Sequence, residues 1–139
     1  MKVVKRCGDY ADYDVEKIHK VVEWATRDIN GVSLSDIEMN MNLSMRDGIS
    51  TEEIHQILIK SASDLISEST PNYQYVAARL LNMSLRKSVW RSCTPPDLYH
   101  YIHLMCDNGI YDENILDGWS REEVDEVQKH IKHDRDDMF

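Results

Sequence analysis

The chain has 139 residues, of which 42% are hydrophobic and 29% charged, and its formal net charge is −9. This composition predicts a folded globular protein and argues against wholesale disorder. No run of about 18 apolar residues is present, so no membrane-spanning helix is predicted. The acidic balance also argues against a direct nucleic-acid partner, because neutralising phosphates requires a basic surface.

The N-terminus and the cysteines indicate a cytoplasmic protein. The basic first residues are followed by Asp9 and Asp12 rather than by a long apolar segment, so no signal peptide is predicted. The three cysteines are Cys7, Cys93 and Cys106. An odd number at wide spacing, without a C-x-x-C pair, is typical of reduced thiols and does not predict a catalytic dithiol.

Charge is divided unevenly along the chain. Residues 1–91 contain 12 Lys or Arg and 13 Asp or Glu, whereas residues 92–139 contain 4 and 12. The division lies near Pro95 and Pro96, which interrupt the pattern of apolar residues. We therefore predict two parts with different surfaces.

The first elements are predicted to be a hairpin and a helix. Residues 2–6 and 10–13 have strand-like composition and are separated by a turn that contains glycine. Asp14 is predicted to cap the following helix, in which apolar residues recur at helical spacing. Gly31 is predicted to end this helix.

Three further helices are predicted before the proline pair. The pattern SDIE at residues 35–38 predicts a capping box and a second helix that ends near Gly48. The pattern STEE at residues 50–53 predicts the same start for a third helix. Pro71 is predicted to begin a long fourth helix.

After the proline pair, the sequence predicts a short helical region. DLYHYIHLMCDNG has the pattern of a fifth helix, a short helical turn is predicted at residues 112–117, and a capping box at Ser120 and Glu123 predicts a last helix. The predicted fold is mainly α, with a small β-hairpin covering four helices and a short helical connector after them.

Several cationic and polar side chains of the first part lie at or near the ends of predicted strands and helices. They are Lys5, Arg6, Lys17, Thr51, His55, Arg86 and Lys87. Two of these places are helix N-termini, where unpaired N–H groups and the helix dipole favour an anion. Lysine, arginine, hydroxyl and imidazole groups would suit a polyphosphate there. The alternative is a set of solvated surface charges, and spacing alone does not decide between them.

Several long stretches of the sequence match one family in order and spacing. In the first part they are VVKRCG, VEKIHKVVEWA, DGISTEEIHQILIKSASDLIS, PNYQYVAARLL and LRK, and further on they are PPDLYHYI, NGIYDENIL and KHDRDDMF. The chain thereby resembles the ATP-cone, the regulatory nucleotide-binding domain at the N-terminus of the large subunit of class Ia ribonucleotide reductases. The resemblance covers essentially the whole chain.

The resemblance implies a domain organisation and a set of nucleotide contacts. Residues 1–92 would form the cone, and residues 93–139 a helical connector to a catalytic barrel that is absent here. The implied nucleotide-binding residues are Val3, Lys5, Arg6, Asp14, Lys17, Ile18, Thr51, His55 and Lys87. The family uses the equivalents of Lys5, Arg6 and Lys87 for phosphate contacts, and Val3 and Ile18 would line the base pocket. Lys17 matches the lysine of the first helix that faces the nucleotide in the family.

The remaining implied roles concern the sugar and the base. Thr51 and His55 match a pair near the phosphates and sugar. Asp14 stands where the family often has Asn, and it would still accept a hydrogen bond from an adenine amino group. Cys7 stands where the family usually has Asp, and Ala11 where an acidic residue often approaches the adenine. The phosphate-binding half is therefore the better preserved half.

The implied function is allosteric control of the reduction of ribonucleotides to deoxyribonucleotides. ATP or dATP, together with Mg²⁺, would be the effector. The implied partners are the rest of the large subunit and the radical-generating small (β) subunit. This chain alone is predicted to be inactive, because the barrel that carries the family's catalytic cysteines is absent. It is expected to be a piece of a larger subunit or a separately encoded part of one.

Three alternatives remain open from the sequence. A nucleotide-sensing transcriptional regulator would place a zinc ribbon with C-x-x-C pairs before its cone, and none is present. A helical protein-interaction module would carry the cations only as surface charge. His100, His103 and Cys106 fall at i, i+3 and i+6 and could hold a metal, although this spacing on an apolar helix is more typical of packing.

Overall fold

The computed structural model describes residues 1–138, which divide into two compact units, Met1–Leu85 and Arg86–Met138. The fold is mainly α with a small sheet, as predicted. The elements in chain order are β1 (Lys2–Val4), β2 (Tyr10–Asp12), α1 (Val15–Thr26), α2 (Leu34–Asn42), β3 (Ile49–Ser50), α3 (Thr51–Asp64), α4 (Tyr73–Trp90), α5 (Leu98–Asp107), α6 (Arg121–His130) and a 3₁₀ helix (His133–Met138). The division between the units falls within α4. The predicted boundary after residue 92 lies a few residues later and stays a prediction.

The sheet has three strands in the order β2-β1-β3. The predicted hairpin is confirmed: β1 and β2 are antiparallel, with Val3 opposite Ala11. Its strands are shorter than expected because the chain already turns at Lys5, whose carbonyl accepts a hydrogen bond from the Gly8 N–H at 2.9 Å. The sequence did not predict β3, which pairs with β1 in parallel and sets Val3 beside Ile49.

One hydrophobic core holds the first unit together. Its buried apolar residues come from the sheet and from all four helices: Val3, Val22, Ala25, Ile37, Met41, Ile49, Ile54, Leu58, Ala62, Tyr73, Val76 and Leu80. Burial of this apolar surface is the main stabilising contribution to the unit. The sheet therefore packs on the helices through one face, with Val3 and Ile49 as its buried contacts.

The first helix ends earlier than predicted. α1 ends at Thr26, several residues before Gly31. Its final carbonyl groups are bound by a residue distant in sequence, because Nη1 of Arg79 donates to the carbonyl oxygens of Ala25 at 3.3 Å and Arg27 at 2.6 Å. The prediction from Gly31 was wrong because Asp28, with φ of +60°, already adopts the left-handed conformation that ends a helix.

The second helix begins at a different serine from the predicted one. Ser33 is the N-cap of α2, and its Oγ accepts a hydrogen bond from the Asp36 N–H at 3.3 Å. The backbone N–H of Ser33 donates to the Tyr73 hydroxyl at 2.9 Å. This contact with α4 fixes the serine before the helix, so the capping box predicted at residues 35–38 was wrong. The helix also ends at Asn42, before the predicted stop near Gly48.

Three other predicted helix starts agree with the structure, whereas α4 begins at Tyr73, two residues after the predicted start at Pro71. Asp14 caps α1, and its Oδ1 accepts from the Glu16 N–H at 3.1 Å. Complete capping boxes begin α3, with Ser50 and Glu53, and α6, with Ser120 and Glu123. These boxes are recognisable in sequence because all their partners lie within three residues.

The second unit contains the end of α4, α5, α6 and the 3₁₀ helix. Val124 is buried, with 6% of its surface exposed. The segment at residues 113–118 forms hydrogen-bonded turns rather than the predicted helical turn, with Ile115 N–H bound to the Asp112 carbonyl at 3.1 Å. The edge of the Trp90 ring meets the His133 ring at a centroid distance of 5.9 Å.

Candidate functional site

The parallel strand pair aligns the cations of β1 with the start of α3. Val4 lies beside Ser50, the last residue of β3 and the N-cap of α3. Lys5 and Thr51 are the residues that directly follow this pair along the two chain segments. Because parallel strands end at the same edge of a sheet, Lys5 and the N-terminus of α3 share that edge. We call this edge of the sheet, with Lys5, Arg6 and Thr51, the cationic edge.

The two cations of this edge are available to a ligand. Both Lys5 and Arg6 are exposed, and neither side chain forms an ion pair or hydrogen bond within residues 1–138. The turn that carries them is fixed by the backbone, since the Lys5 N–H donates to the Asp9 carbonyl at 2.8 Å. Gly8, with φ of +89°, adopts the left-handed conformation that this turn requires.

The start of α3 is held by its capping box. The Ser50 N–H donates to Glu53 Oε2 at 2.9 Å, and the Glu53 N–H donates to Ser50 Oγ at 3.1 Å. The hydrogen bond from the Ser50 backbone is the main reason why the pKa of Glu53 lies below its usual value, and Arg46 contributes further. In an α-helix the N–H groups of the first residues have no intrahelical acceptor. Those of Thr51 and Glu52 therefore have no acceptor within the helix.

His55 lies one turn into α3, on the same face as Thr51. Only 7% of its surface is exposed. It follows Ile54 and precedes Leu58, both of which belong to the core. Packing therefore limits the motion of the imidazole, which gives it a defined orientation near the helix start.

A second group of predicted residues lies at the start of α1. Asp14 Oδ2 forms an ion pair with Lys17 Nζ at 3.4 Å, and Ile18 packs against the core. The Tyr13 N–H donates to the Met1 carbonyl at 3.0 Å, which sets this connection beside the beginning of β1. The start of α1 therefore lies at the edge of the sheet opposite the cationic edge.

Val3 and Ala11 lie between the two edges. They are directly opposite in the antiparallel pair and so share a face of the sheet. Val3 is 7% exposed and belongs to the core, and Ala11 packs against that core. The structure therefore brings Val3 and Ile18 together on one apolar core, and the methyl group of Ala11 lies on the same face.

Lys87 is the one predicted nucleotide-binding residue that is assigned to the second unit. It lies in the last turn of α4 and belongs to the second unit. Its neighbour Arg86, the other late cation of α4, is bound inside that unit by Asp136, with Nη2 and Oδ2 2.6 Å apart. The first unit contains the other eight of the nine predicted residues.

Sequence reasoning missed one polar side chain at this sheet. The hydroxyl of Tyr13 is buried and has no hydrogen-bond partner within residues 1–138. Burial raises the pKa of Tyr13, and the negative charge of Glu38 raises it further. Strand alternation from Ala11 is the signal that could have indicated an inward-facing ring at this position.

The alternative metal residues have other contacts in the second unit. His100 Nδ1 lies 2.8 Å from Asp97 Oδ1, the His103 ring packs on Tyr99 at a centroid distance of 4.5 Å, and Cys106 Sγ donates to the Asp112 carbonyl at 3.4 Å. In the described part of the chain, no three His, Cys, Asp or Glu side chains converge as metal ligands. Within residues 1–138, no helix is both long and apolar enough to cross a bilayer.

Comparisons with known proteins give a consistent match. A protein-family model described as "ATP cone domain" matches residues 1–88. The chain is 42% identical over 137 residues to "Ribonucleoside-diphosphate reductase 1 subunit alpha" of Salmonella typhimurium and 40% identical to that of Escherichia coli. It is 38% identical over 141 residues to "Ribonucleoside-diphosphate reductase subunit alpha" of Enterobacteria phage T4. These alignments cover at least 99% of this chain but only 18% of each relative.

Proposed function

Because the chain belongs to the ATP-cone family, we propose that its first unit binds one molecule of ATP or dATP. The observation that carries this proposal is the parallel register of β1 and β3, whose last pair, Val4 and Ser50, comes directly before Lys5 and before the start of α3. Lys5 and Arg6 are far from α3 in the sequence, and the strand pairing places them at the same edge of the sheet as the N-terminus of this helix. Cations and free backbone N–H groups together favour a polyphosphate.

The triphosphate is proposed to lie at the cationic edge. Lys5 and Arg6 have no acid of their own within residues 1–138, so a bound phosphate need not displace a protein carboxylate. Charge-assisted hydrogen bonds to phosphate are stronger than neutral ones. The resemblance adds Lys87 to the phosphate contacts, and its contribution is tested separately below.

The base is proposed to lie toward the start of α1. Val3 and Ile18 would supply apolar contacts, Asp14 would accept from an adenine amino group, and Lys17 would face the nucleotide. The two groups are separated by the length of β1, about 10 Å at roughly 3.3 Å per residue. The base and the terminal phosphates of one extended nucleotide are a comparable distance apart. One ligand can therefore reach both groups.

The sugar is proposed to meet Thr51 and His55. ATP and dATP differ by one 2′-hydroxyl. A difference in their binding affinities therefore requires a polar group with a defined position near the ribose. The buried imidazole of His55 has such a position. A ligand shifts an equilibrium between two assemblies only through its difference in affinity for them.

We further propose that the chain is an allosteric regulatory region rather than a catalytic one. Its relatives are named as subunits of ribonucleoside-diphosphate reductase, and the chain spans 18% of their length. ATP would sustain and dATP would suppress the reduction of ribonucleotides. The rest of the large subunit and a radical-generating small (β) subunit would be the partners, in the cytoplasm.

Mg²⁺ is proposed to enter with the nucleotide. Mg²⁺ is often held by substrate phosphates and one or two carboxylates rather than by a complete protein cage. The triphosphate oxygens would then be its main ligands.

A thermal-shift titration tests the proposal. Millimolar ATP or dATP with Mg²⁺ should raise the Tm of the 139-residue chain by several degrees, because a ligand at about 100 times its Kd adds about 2.7 kcal/mol. Tripolyphosphate should give a smaller shift than ATP, since it lacks the base. A Tm unmoved by either nucleotide would contradict the proposal and favour the alternative of a helical interaction module.

A further inference from the structure

The second unit carries an apolar cavity of about 170 Å³ between α5, the turns that follow it, and α6. Residues that line it include Leu98, Ile102, Ile115, Trp119, Val124 and Val127. We call this surface the acidic groove, because of the charges around it described below. It belongs to a different unit from the cationic edge and has no part in the proposed nucleotide site.

The size and the opening of the groove suit one aromatic side chain. An apolar cavity of about 150 Å³ can hold a benzene molecule. Three of the lining residues remain about half exposed: Ile115 at 47%, Trp119 at 58% and Val127 at 50%. The cavity is therefore open at its mouth, and a ring from outside can enter without unfolding the unit.

The chain around the groove has little positive charge. Residues 107–130 contain eight Asp or Glu and two Lys or Arg, which are Arg121 and Lys129, and Lys129 is paired with Glu126 at 2.7 Å. The Arg121 guanidinium lies 3.3 Å from Asp97 Oδ2 and 3.5 Å from Asp125 Oδ2, and it stacks over the Tyr99 ring. Its charge is already neutralised by the unit's own carboxylates.

Several acids beside the groove are not neutralised in this way. Glu113, Asp117 and Glu122 are exposed and form no ion pair with any residue of the described chain. Each lies within three residues of a lining residue in the sequence. The apolar groove is thus formed by a strongly acidic part of the chain, and an apolar centre with polar surroundings is typical of protein–protein interfaces built around one buried anchor.

We propose that the acidic groove docks a polypeptide partner that inserts one aromatic side chain flanked by Lys or Arg. Charge complementarity selects this occupant. The unneutralised carboxylates attract cationic flanks and repel nucleic acids and anionic lipid surfaces. The cavity volume selects a side chain of phenyl size as the anchor. This proposal is independent of nucleotide binding.

A matched set of short synthetic peptides tests the groove on the full 139-residue chain. The first peptide has one phenylalanine with two lysines on each side. The second replaces the phenylalanine by alanine, and the third replaces the lysines by glutamates. NMR should show saturable shifts of the Trp119 indole and the Val127 methyl groups with the first peptide. The other two should bind at least tenfold more weakly.

Two variants locate the binding surface. Val127→Asp, at the mouth, should weaken the first peptide at least tenfold. Leu104→Asp, which is similarly exposed in the same unit but does not line the groove, should leave its affinity unchanged. If Val127→Asp does not fold, Trp119→Ser replaces it as the test variant.

Three results would overturn the proposal. The alanine peptide could shift the same resonances as strongly, which would show charge attraction without an anchor. The first peptide could shift only residues outside the groove. The free chain could instead dimerise through Trp119 in a concentration-dependent way, which would make a second copy the occupant. The thermal-shift titration with ATP or dATP does not depend on peptide binding, so a negative result with the peptides leaves the proposed nucleotide binding unaffected.

Discussion

The two units are stabilised in different ways. The first encloses a core of twelve buried apolar residues drawn from a sheet and four helices. In the second, Val124 is the buried apolar residue of residues 86–136, while Trp119 and Val127 remain largely exposed. The first unit is thus closed around its own core and exposes cations, whereas the second exposes apolar surface among acids. We infer that the first is built to hold a small anionic ligand and the second to meet a polypeptide.

Truncation of the core should give the largest effect and should affect only the first unit. Leu58 is fully buried, so Leu58→Ala should lower the free energy of unfolding by about 2–5 kcal/mol. The matched change Val127→Ala, at a half-exposed site, should cost less than about 0.5 kcal/mol. Urea unfolding, monitored by the NMR signals of each unit, gives a separate free energy of unfolding for the two units. An equal decrease in the free energy of unfolding for the two variants would contradict the contrast in packing between the units.

Removing a cation should weaken nucleotide binding without lowering stability. Lys5→Ala is expected to reduce ATP affinity about tenfold to hundredfold, since a hydrogen bond to a charged group contributes about 1.5–3 kcal/mol. Lys87→Ala is expected to weaken ATP binding as well. Lys60→Ala is the control, because Lys60 is exposed and paired with Asp64 at 2.9 Å. Calorimetry that finds Lys5→Ala and Lys87→Ala as tight as wild type would remove the phosphate assignment.

The two capping boxes offer a direct comparison between the units. Ser50→Ala and Ser120→Ala each remove the same kind of cap, so each should cost about 1 kcal/mol of stability. Only Ser50→Ala should also weaken ATP binding, because Ser50 positions the start of α3. An equal effect of both variants on the ATP affinity would argue against a site at that helix start.

The sugar contact should give a smaller and more selective effect. His55→Ala is expected to narrow the ratio of ATP to dATP affinity, because the proposed polar neighbour of the 2′-hydroxyl is lost. Gln56→Ala is the control on the exposed face of α3. A ratio preserved in calorimetry, with both affinities still measurable, would remove His55 from this role.

The smallest expected effect is a change in how the stability of the first unit depends on pH. The Ser50 backbone holds the pKa of Glu53 below its usual 4.5, so the charged form stabilises the folded state. This contribution is complete above about pH 4.5 and is lost as the pH falls through the lowered pKa of the folded state. In Glu53→Gln the first unit should be less stable at pH 6, and its stability should change less between pH 5 and pH 3. A variant that follows the wild-type pH profile would contradict this assignment.

The sequence predicted what depends on neighbouring residues and missed what depends on distant ones. The capping boxes of α3 and α6 were recognisable because their partners lie three residues apart. The end of α1 is bound by Arg79 and the N-cap of α2 by Tyr73, which lie about 40 to 50 residues away. No local pattern reports such a contact.

The same limit applies to the candidate site. The residue types at Lys5 and Thr51 suggested phosphate binding, but it is the parallel pairing of β1 with β3 that brings the ends of both strands to the same edge of the sheet. A two-residue strand is too short to have a recognisable alternation, so β3 could not be predicted. The open cavity of the second unit was also missed, because its lining residues come from three separate segments.

The most direct test follows the backbone amides of the ¹⁵N-labelled chain by NMR while ATP and Mg²⁺ are added. If the nucleotide lies along the sheet, saturable shifts should be largest at Lys5, Arg6 and Thr51, with smaller ones at Lys17 and Ile18, and α6 should be unaffected. Saturable shifts centred on α5 and α6, with Lys5 and Thr51 unmoved, would contradict a nucleotide site in the first unit.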